Sequence, residues 1–447
     1  MNISIVILFN ILKENKMKHF NIYILFIALF MGSFSFAQQT PGSKQTKPIA
    51  IVGATAHIGN GQVIENSVIV FENGKITSVN TTNTNTSGMT VIDAKGKHVY
   101  PGFIAANSAL GLVEVDAVRA SDDQDEVGFM IPHVRSLIAY NTESKVVESM
   151  RPNGVLIAQV SPKGGRISGT SSIVQLDAWN WEDAAIKTDD AIHLNWPSAF
   201  SRGRWWLGEP AGLKPNKDYA EQINEVTAFI NDSKAYLKGD KKPINLPFEA
   251  MQGLYNGKQK LFVHVNDEKG ITDAIYFAKD NNIEQLVIVG GAEAHKVTDL
   301  LKQYNVPVLV NNPHSLPAND DQDYDMPYKL AKQIHDAGVL IGIQVGNAEN
   351  FQTRNLPFYA GTCAAYGMDK EDALKLITSN NAKILGIDAF VGTLEVGKDA
   401  TLFISEGDAL DMRTNILTEA FIQGRQISLE SHQTELWRRY SEKYKNQ

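Results

Sequence analysis

The side chains that could bind a metal ion are limited in type. The sequence has ten histidines, 50 aspartates and glutamates, and a single cysteine, Cys363. One cysteine excludes a disulfide framework within the chain and a cysteine-rich zinc or iron–sulfur site. Any metal centre must therefore use histidine and carboxylate ligands, the set that activates water in hydrolytic zinc enzymes.

His264 is the histidine best placed for such chemistry. It lies in the apolar run 260–265, which is typical of a buried strand. Alternate side chains of a strand point to one face, so a histidine near a strand end can reach a shared site. The sequence leaves two interpretations open: His264 is a metal ligand, or it is a core residue that is hydrogen-bonded to a neighbour.

A metal site elsewhere in the chain is an alternative. Carboxylates are concentrated at residues 122–126, although a solvated acidic loop also explains such a run. The spacing of a calcium-binding EF-hand is absent. The residues that could form this relocated site are His133, His193, His314 and His335, with Asp122, Asp123, Asp125 and Glu126.

A loop rich in glycine and serine could bind an anion. Residues 161–172 include Lys163, Gly164, Gly165 and Arg166. Backbone N–H groups and two cations in such a loop could hold a carboxylate. The segment lacks the Gly-Lys-Ser/Thr ending of a phosphate-binding P-loop, and a long surface turn is the alternative.

The hydrophobic pattern divides the chain into three parts. Residues 48–98 contain short alternating runs separated by turn residues, which predict strands. Over residues 99–387, strand-like runs alternate with helix-length segments, which is typical of parallel βαβ units. Strand patterns return over residues 388–430, so we predict one small β domain built from both ends. A charged helix is predicted over residues 431–447.

The amino-terminal segment predicts export. Residues 17–37 combine a short basic start, a ten-residue apolar run and the small-x-small site Ser35-Phe36-Ala37. We expect residues 1–37 to be a signal peptide region and the protein to be periplasmic or extracellular. An uncleaved anchor is the alternative. The net charge of −8, without a lysine-rich run, argues against nucleic acid as a partner.

Two motifs resemble the amidohydrolase superfamily, and most closely its imidazolonepropionase-like group. Residues 99–104 read VYPGFI, and residues 391–400 read VGTLEVGKDA. The resemblance implies an α/β fold, a (β/α)8 TIM-like barrel with a small β-sandwich domain formed from both chain ends. It also implies a metal-dependent hydrolase of non-peptide C–N bonds in small cyclic amides, with zinc or another divalent metal at the C-terminal ends of the strands.

Most ligand positions that the resemblance implies are substituted. Asn107 and Ala109 stand in place of the histidine pair that follows the first barrel strand. His264 matches the ligand of the fifth strand, and Gly290 stands at the position of the sixth-strand ligand. Asn347 stands in place of the aspartate that also serves as general base. An amide is a poor zinc ligand and cannot take a proton from water at neutral pH.

Three functions remain open. The chain is an exported hydrolase of this family with a depleted metal site, or a catalytically inactive pseudoenzyme, or an enzyme whose metal site has moved. Glu349 is the carboxylate nearest to Asn347 that could compensate. Arg354 follows the eighth strand and is expected to reach a small-molecule ligand at the barrel mouth. A divalent metal or none is expected as cofactor, and a second copy or an active homologue as partner.

Overall fold

The structure, a computed structural model, describes residues 41–81, 84–203, 205–208, 212–317, 321–346 and 350–445. The expected signal peptide region, residues 1–37, lies outside the described residues, as do Asn347 and Glu349. No helix among the described residues is long and apolar enough to cross a membrane.

Two eight-stranded sheets and a short hairpin contain the strands. In chain order the strands are β1 (Ile49–His57), β2 (Val63–Glu72), β3 (Lys75–Asn80), β4 (Thr90–Asp93), β5 (His98–Pro101), β6 (Phe103–Ser108), β7 (Val155–Val160), β8 (Ile167–Gln175), β9 (Ala185–Asn195), β10 (Phe200–Arg202), β11 (Leu213–Pro215), β12 (Lys260–Val265), β13 (Leu286–Gly290), β14 (Val308–Val310), β15 (Ile341–Ile343), β16 (Leu402–Ser405), β17 (Leu417–Ile422) and β18 (Arg425–Gln426).

The helices lie mainly between the barrel strands and after them. They are α1 (Lys145–Glu148), α2 (Trp181–Ala184), α3 (Tyr219–Lys238), α4 (Leu246–Ala250), α5 (Gln252–Tyr255), α6 (Glu268–Asp280), α7 (Thr298–Gln303), α8 (Met326–Asp336), α9 (Leu356–Ala365), α10 (Lys370–Lys375), α11 (Ser379–Leu385) and α12 (His432–Tyr444). Short 3-10 helices occupy Arg119–Ser121, Ser136–Ala139, Arg151–Asn153, Trp205–Leu207, Ala294–Lys296 and Asn350–Asn355.

The first sheet joins the two ends of the described chain. Its strand order is β18-β17-β16-β5-β1-β2-β3, with β4 beside β1. The strands β5 and β16 pair antiparallel, with Tyr100 opposite Phe403. Buried residues from both ends, including Ile51, Phe71 and Phe421, form one apolar core. This small β domain therefore needs the chain ends to meet before its core is complete.

The second sheet forms a barrel. Its order is β6-β7-β8-β9-β12-β13-β14-β15, and a bridge between Ala106 and Gln344 joins the last strand to the first. Below this bridge the side-chain amide of Asn381 donates to the backbone oxygens of Ile104 and Ile343, at 2.8 and 3.1 Å. The predicted TIM-like barrel with an additional β domain is confirmed.

One barrel strand runs against the others. The nine residues of β8 are all buried and pair antiparallel with both β7 and β9. Only residues 161–166 connect β7 to β8, and a parallel crossover needs a dozen or more residues. The expected anion-binding loop over 161–172 is therefore too long: its second half, residues 167–172, belongs to β8.

Local sequence explains the βα unit that follows β12. Asp267 caps α6, since its carboxylate accepts a hydrogen bond of 2.8 Å from the backbone N–H of Gly270. Buried residues recur at helical spacing at Ile271, Ala274, Ile275 and Ala278, which places one apolar face against the barrel. This packing fixes the end of β12, where His264 lies.

Candidate active site in the barrel mouth

The C-terminal ends of the barrel strands, which form the mouth of the barrel, carry a group of side-chain amides. The residues are Asn107 on β6, Gln159 on β7, and Asn266, Asn311 and Gln344 directly after β12, β14 and β15. These five residues are called the mouth amides. Carboxamides both donate and accept hydrogen bonds, so they can satisfy one another without a charged group or an ion.

Hydrogen bonds link the mouth amides into one chain. Gln159 accepts from the backbone N–H of Asn107 at 3.0 Å, and the Asn107 side chain donates to Gln344 at 3.0 Å. Gln344 donates to Asn311 at 2.5 Å, and Asn311 donates to Asn266 at 3.3 Å. This series of hydrogen-bonded amides thus passes around the mouth from β7 to β12. Asn107 is also held at a backbone φ of 51°, a conformation that asparagine tolerates better than most residues.

At β13 the hydrogen-bonded amides pass over Gly290, which has no side chain. The mouth amides before and after that strand, Asn266 and Asn311, meet above it. Gly290 has a φ of 102°, and a Cβ atom added there would approach the side-chain oxygen of Asn266 to 2.6 Å. A larger residue at position 290 therefore requires Asn266 to move. At this position, to which the family resemblance assigns a metal ligand, a side chain would displace the neighbouring amide.

His264 has a histidine partner that sequence reasoning did not pair with it. His193 on β9 and His264 on β12 are joined by a hydrogen bond of 2.9 Å between His193 Nδ1 and His264 Nε2. His193 is fully buried, and its Nε2 atom has no hydrogen-bond partner among the described residues. Of the two interpretations open for His264, the structure displays the hydrogen bond to a neighbour.

Both histidines are electrically neutral near pH 7. Burial lowers the pKa of His264 to about 4, with a further contribution from the positive charge of Lys163. Burial, followed by the effect of His264, holds the pKa of His193 well below its ordinary value. A neutral imidazole has one donor and one acceptor nitrogen, so a single proton serves the bond between the rings.

The described residues do not fit a catalytic zinc ion. Catalytic zinc sites use three protein ligands drawn from histidine, cysteine and carboxylates. In the described part of the chain no group of three or more such side chains lies close enough to hold a metal ion. The Asn107 side chain is already engaged in a hydrogen bond to Gln344. Ala109 and Gly290 have no side-chain atom that could bind a metal ion. Asn347 lies outside the described residues.

The histidines considered for a relocated site lie apart from one another. His314 Nε2 is 2.8 Å from the hydroxyl of Thr362, and His335 Nε2 is 3.5 Å from a carboxylate oxygen of Asp372. His133 has a buried Nδ1 atom without a partner among the described residues. Neither these histidines nor Asp122, Asp123, Asp125 and Glu126 form a metal-binding group within the described ranges.

The turn that contains Lys163 lies over the mouth and uses part of its backbone in structural contacts. Lys163 N–H donates to Gln124 at 2.6 Å, and Arg166 N–H donates to Phe129 at 2.7 Å. Burial lowers the pKa of Lys163. The guanidinium of Arg166 stacks on the Phe129 ring and donates to the backbone of Asn195 at 2.8 Å.

The structure gives other roles to Gly164, Gly165 and Arg354, which the sequence predicts to contact a ligand. Gly164 and Gly165 have φ values of 83° and 56°, so their conformation shapes a tight turn. Arg354 does not lie at the mouth. Its backbone oxygen accepts from Asn153, which precedes β7 at the opposite end of the barrel, and its guanidinium lies over Phe351.

A cleft of about 890 Å³ opens beside the mouth. Two mouth amides, Asn266 and Asn311, belong to its wall. Phe200, Leu213 and Leu316 add exposed apolar side chains at the same cleft. The wall also carries the charged residues Asp267, Glu268, Lys269, Asp273, Glu293 and Asp321. A small ligand in this cleft can therefore reach the amide chain while its apolar part contacts the lip.

Sequence reasoning missed most of the mouth amides, although a signal exists. Asn266, Asn311 and Gln344 each follow an apolar strand run directly, the position where parallel strands present functional groups. A search restricted to histidine and carboxylate ligands passes over such residues.

Comparison with known proteins supports the family resemblance. Residues 263–428 match the model of the Amidohydrolase family. The structure is similar to a crystal structure of an amidohydrolase from Thermotoga maritima MSB8, with a TM-score of 0.74 and 23% identity over 85% of this chain and 99% of that chain. The predicted resemblance to the amidohydrolase superfamily is thereby confirmed. No curated protein sequence matches the chain.

Two more distant structures have related folds. A putative prolidase from Bifidobacterium longum has a TM-score of 0.51 and 17% identity over 85% of this chain and 94% of that chain. A molinate hydrolase has a TM-score of 0.51 and 13% identity over 87% of this chain and 95% of that chain.

Proposed function

We propose that this chain, with its amidohydrolase fold, is a catalytically inactive relative that binds a small uncharged amide in the barrel mouth. The chain of mouth amides carries this proposal, because it surrounds the strand ends where the family resemblance places the metal and includes Asn107 at one of the ligand positions. Carboxamides in a ligand would match the donors and acceptors of Asn266 and Asn311 at the cleft.

Metal content is the first test. The chain from residue 38 onward is purified, equilibrated with Zn²⁺, Mn²⁺ and Fe²⁺, desalted and analysed for bound metal. We expect far less than one metal ion per chain and no hydrolysis of a panel of small cyclic amides. A stoichiometric metal that His264→Ala removes together with activity, while the control His314→Ala keeps both, would refute the proposal.

Ligand binding is the second test. The same panel of amides is titrated against the metal-free protein by calorimetry. We expect saturable binding, weakened at least tenfold in Asn311→Ala and unchanged in the control Asn415→Ala, which lies outside the cleft. Absence of binding across the panel would count against a ligand site at the mouth.

Metal-dependent hydrolysis of small amides is the second candidate. The family match over residues 263–428 favours it, as do the names of the similar solved structures, which include a molinate hydrolase and a phenylurea hydrolase. In this case Zn²⁺ or another divalent metal would be bound, and Glu349 is the carboxylate that we propose as a compensating ligand. Glu349→Gln should then abolish both metal binding and turnover.

We further propose export and an active homologue as partner. The basic start, apolar run and small-x-small site of residues 17–37 support a cleaved signal peptide. Mass spectrometry of the protein from its native cell should find Gln38 as the first residue, whereas an uncleaved anchor would leave the segment in place. A complete amidohydrolase recovered with the tagged chain would support the partner, and recovery of a second copy would favour a homo-oligomer.

A further inference from the structure

The C-terminal helix α12 is held at its start by a cap and by one hydrogen bond to the rest of the described chain. Ser431 accepts from the N–H of Thr434, and Thr434 accepts from the N–H of Ser431, which forms a capping box. The backbone N–H of His432 donates to the buried carboxylate of Glu148 at 2.9 Å. Beyond this anchor none of the 13 residues of α12 is buried.

Three aromatic side chains share one exposed face of α12. Trp437, Tyr440 and Tyr444 are separated by three and four residues, the spacing that places side chains on one side of a helix. Their exposed fractions are 73%, 50% and 57%. A helix of this length is marginally stable in water by itself, and the described chain leaves its aromatic face uncovered.

Charges are sorted around the aromatic face. At 100° per residue, Arg439 and Lys443 lie on one flank, and Arg438 and Lys445 lie on the other. The acidic residues Glu435 and Glu442 lie on the opposite side of the helix. Residues 437–445 contain four basic residues and one acidic residue, although the whole chain has a net charge of −8.

Two of the basic side chains are held beside aromatic rings. The Arg439 guanidinium lies 5.9 Å from the centre of the Tyr440 ring, and Lys443 Nζ lies 5.3 Å from the centre of the Tyr444 ring. Arg438 forms an ion pair of 2.6 Å with Glu430 on the body of the protein. The cations of Arg439 and Lys443 are thus kept at the border of the aromatic face.

We propose that α12 docks on an anionic lipid surface with its aromatic face toward the membrane. Tryptophan and tyrosine favour the membrane–water interface because one end of each side chain is apolar and the other polar. Flanking arginine and lysine contact anionic head groups, and the acidic side faces water. This attachment does not depend on the function of the barrel mouth.

Vesicle sedimentation tests this proposal. The chain from residue 38 onward is mixed with vesicles of phosphatidylcholine alone or with one third phosphatidylglycerol, at low and high salt. We expect binding to the anionic vesicles that weakens as salt rises, and at least tenfold weaker binding to phosphatidylcholine. Binding that is absent, or equal on both vesicles, would overturn the proposal.

Point variants keep the test specific to α12. Trp437→Ala and the double variant Tyr440→Ala, Tyr444→Ala should each weaken vesicle binding at least tenfold without changing the thermal midpoint, because these side chains are exposed. The control Trp179→Ala removes another exposed tryptophan, 66% accessible, and should bind like the unmodified chain. Equal binding by all variants would overturn the proposal, as would an α12-dependent protein complex without vesicle binding.

Discussion

The imidazoles of His193 and His264, on neighbouring barrel strands, are joined by a 2.9 Å hydrogen bond between Nδ1 and Nε2. This bond uses the nitrogen of His264 that points toward its neighbouring strand. Both rings are buried in a neutral state, between the positive charge of Lys163 and the Asp190 carboxyl that accepts from Gln159 at 2.8 Å. The following predictions test this description and the contacts that support the fold.

Acidification should destabilise the protein through His264. Burial lowers its pKa from 6.5 to about 4, so between these pH values the unfolded chain binds a proton that the folded chain does not. The free energy of unfolding therefore falls as the pH decreases from 6.5 to 4, by about 3 kcal/mol from this residue. Urea unfolding at pH 7 and pH 4.5 measures it. The variant His264→Gln should lose correspondingly less stability over this interval, and an equal loss would contradict the assignment.

Removing one mouth amide should weaken the fold. Gln344→Met deprives the Asn107 side chain of an acceptor and the Asn311 side chain of a donor. Asn107 is buried, so leaving its side chain without an acceptor costs about 1–3 kcal/mol, whereas Asn311 lines the cleft and can bond to water. We therefore expect the free energy of unfolding to fall by about 2 kcal/mol. The exposed Gln426→Met is the matched control and should change stability by less than about 0.5 kcal/mol. Similar urea midpoints for the two variants would argue against the amide chain.

A methyl group at Gly290 should disturb the mouth more than one at a comparable glycine. Gly290 and Gly397 have similar φ values, 102° and 90°, but an added Cβ meets Asn266 at 2.6 Å in the first case and nothing within 4 Å in the second. The left-handed backbone destabilises both alanine variants by about 1 kcal/mol. Only Gly290→Ala adds a clash, so its thermal midpoint should be clearly lower than that of Gly397→Ala. Equal midpoints would show that Asn266 yields easily.

Arg425 should be essential for attaching the last strand of the β domain to the barrel. Its guanidinium donates to the Asp177 carboxylate at 2.7 Å and to the Asp177 backbone at 2.8 Å, and the Asp177 side chain is only 2% exposed. Arg151 stays 3.5 Å from the Asp177 carboxylate, so Arg425→Met removes hydrogen bonds to a charged group without leaving that charge unpaired. We expect a loss of about 2 kcal/mol in urea unfolding. Arg413, which is 83% exposed beside Asp411, provides the control, and Arg413→Met should have no measurable effect.

The order and type of the elements follow from local sequence. The barrel itself was implied by the family resemblance of the VYPGFI and VGTLEVGKDA motifs. Alternating runs and turn residues predicted strands at both ends, and strand–helix alternation predicted the α/β block between them. These signals are local, because hydrophobic periodicity reports which face of each element is buried. The reversal of β8 was missed, since a buried strand has the same apolar character in either direction and the short connection decides its orientation.

The sequence also determined where His264 lies, near the end of a buried strand, and it predicted that several ligand positions of the family are substituted. Only the tertiary structure decided what those positions do. His193 and His264 are 71 residues apart, and Asn107 and Gln344 are 237 residues apart. Hydrogen bonds over such separations depend on strand order and register. Local patterns leave these undefined until the barrel closes, and its closure brings the side-chain amides of the mouth together.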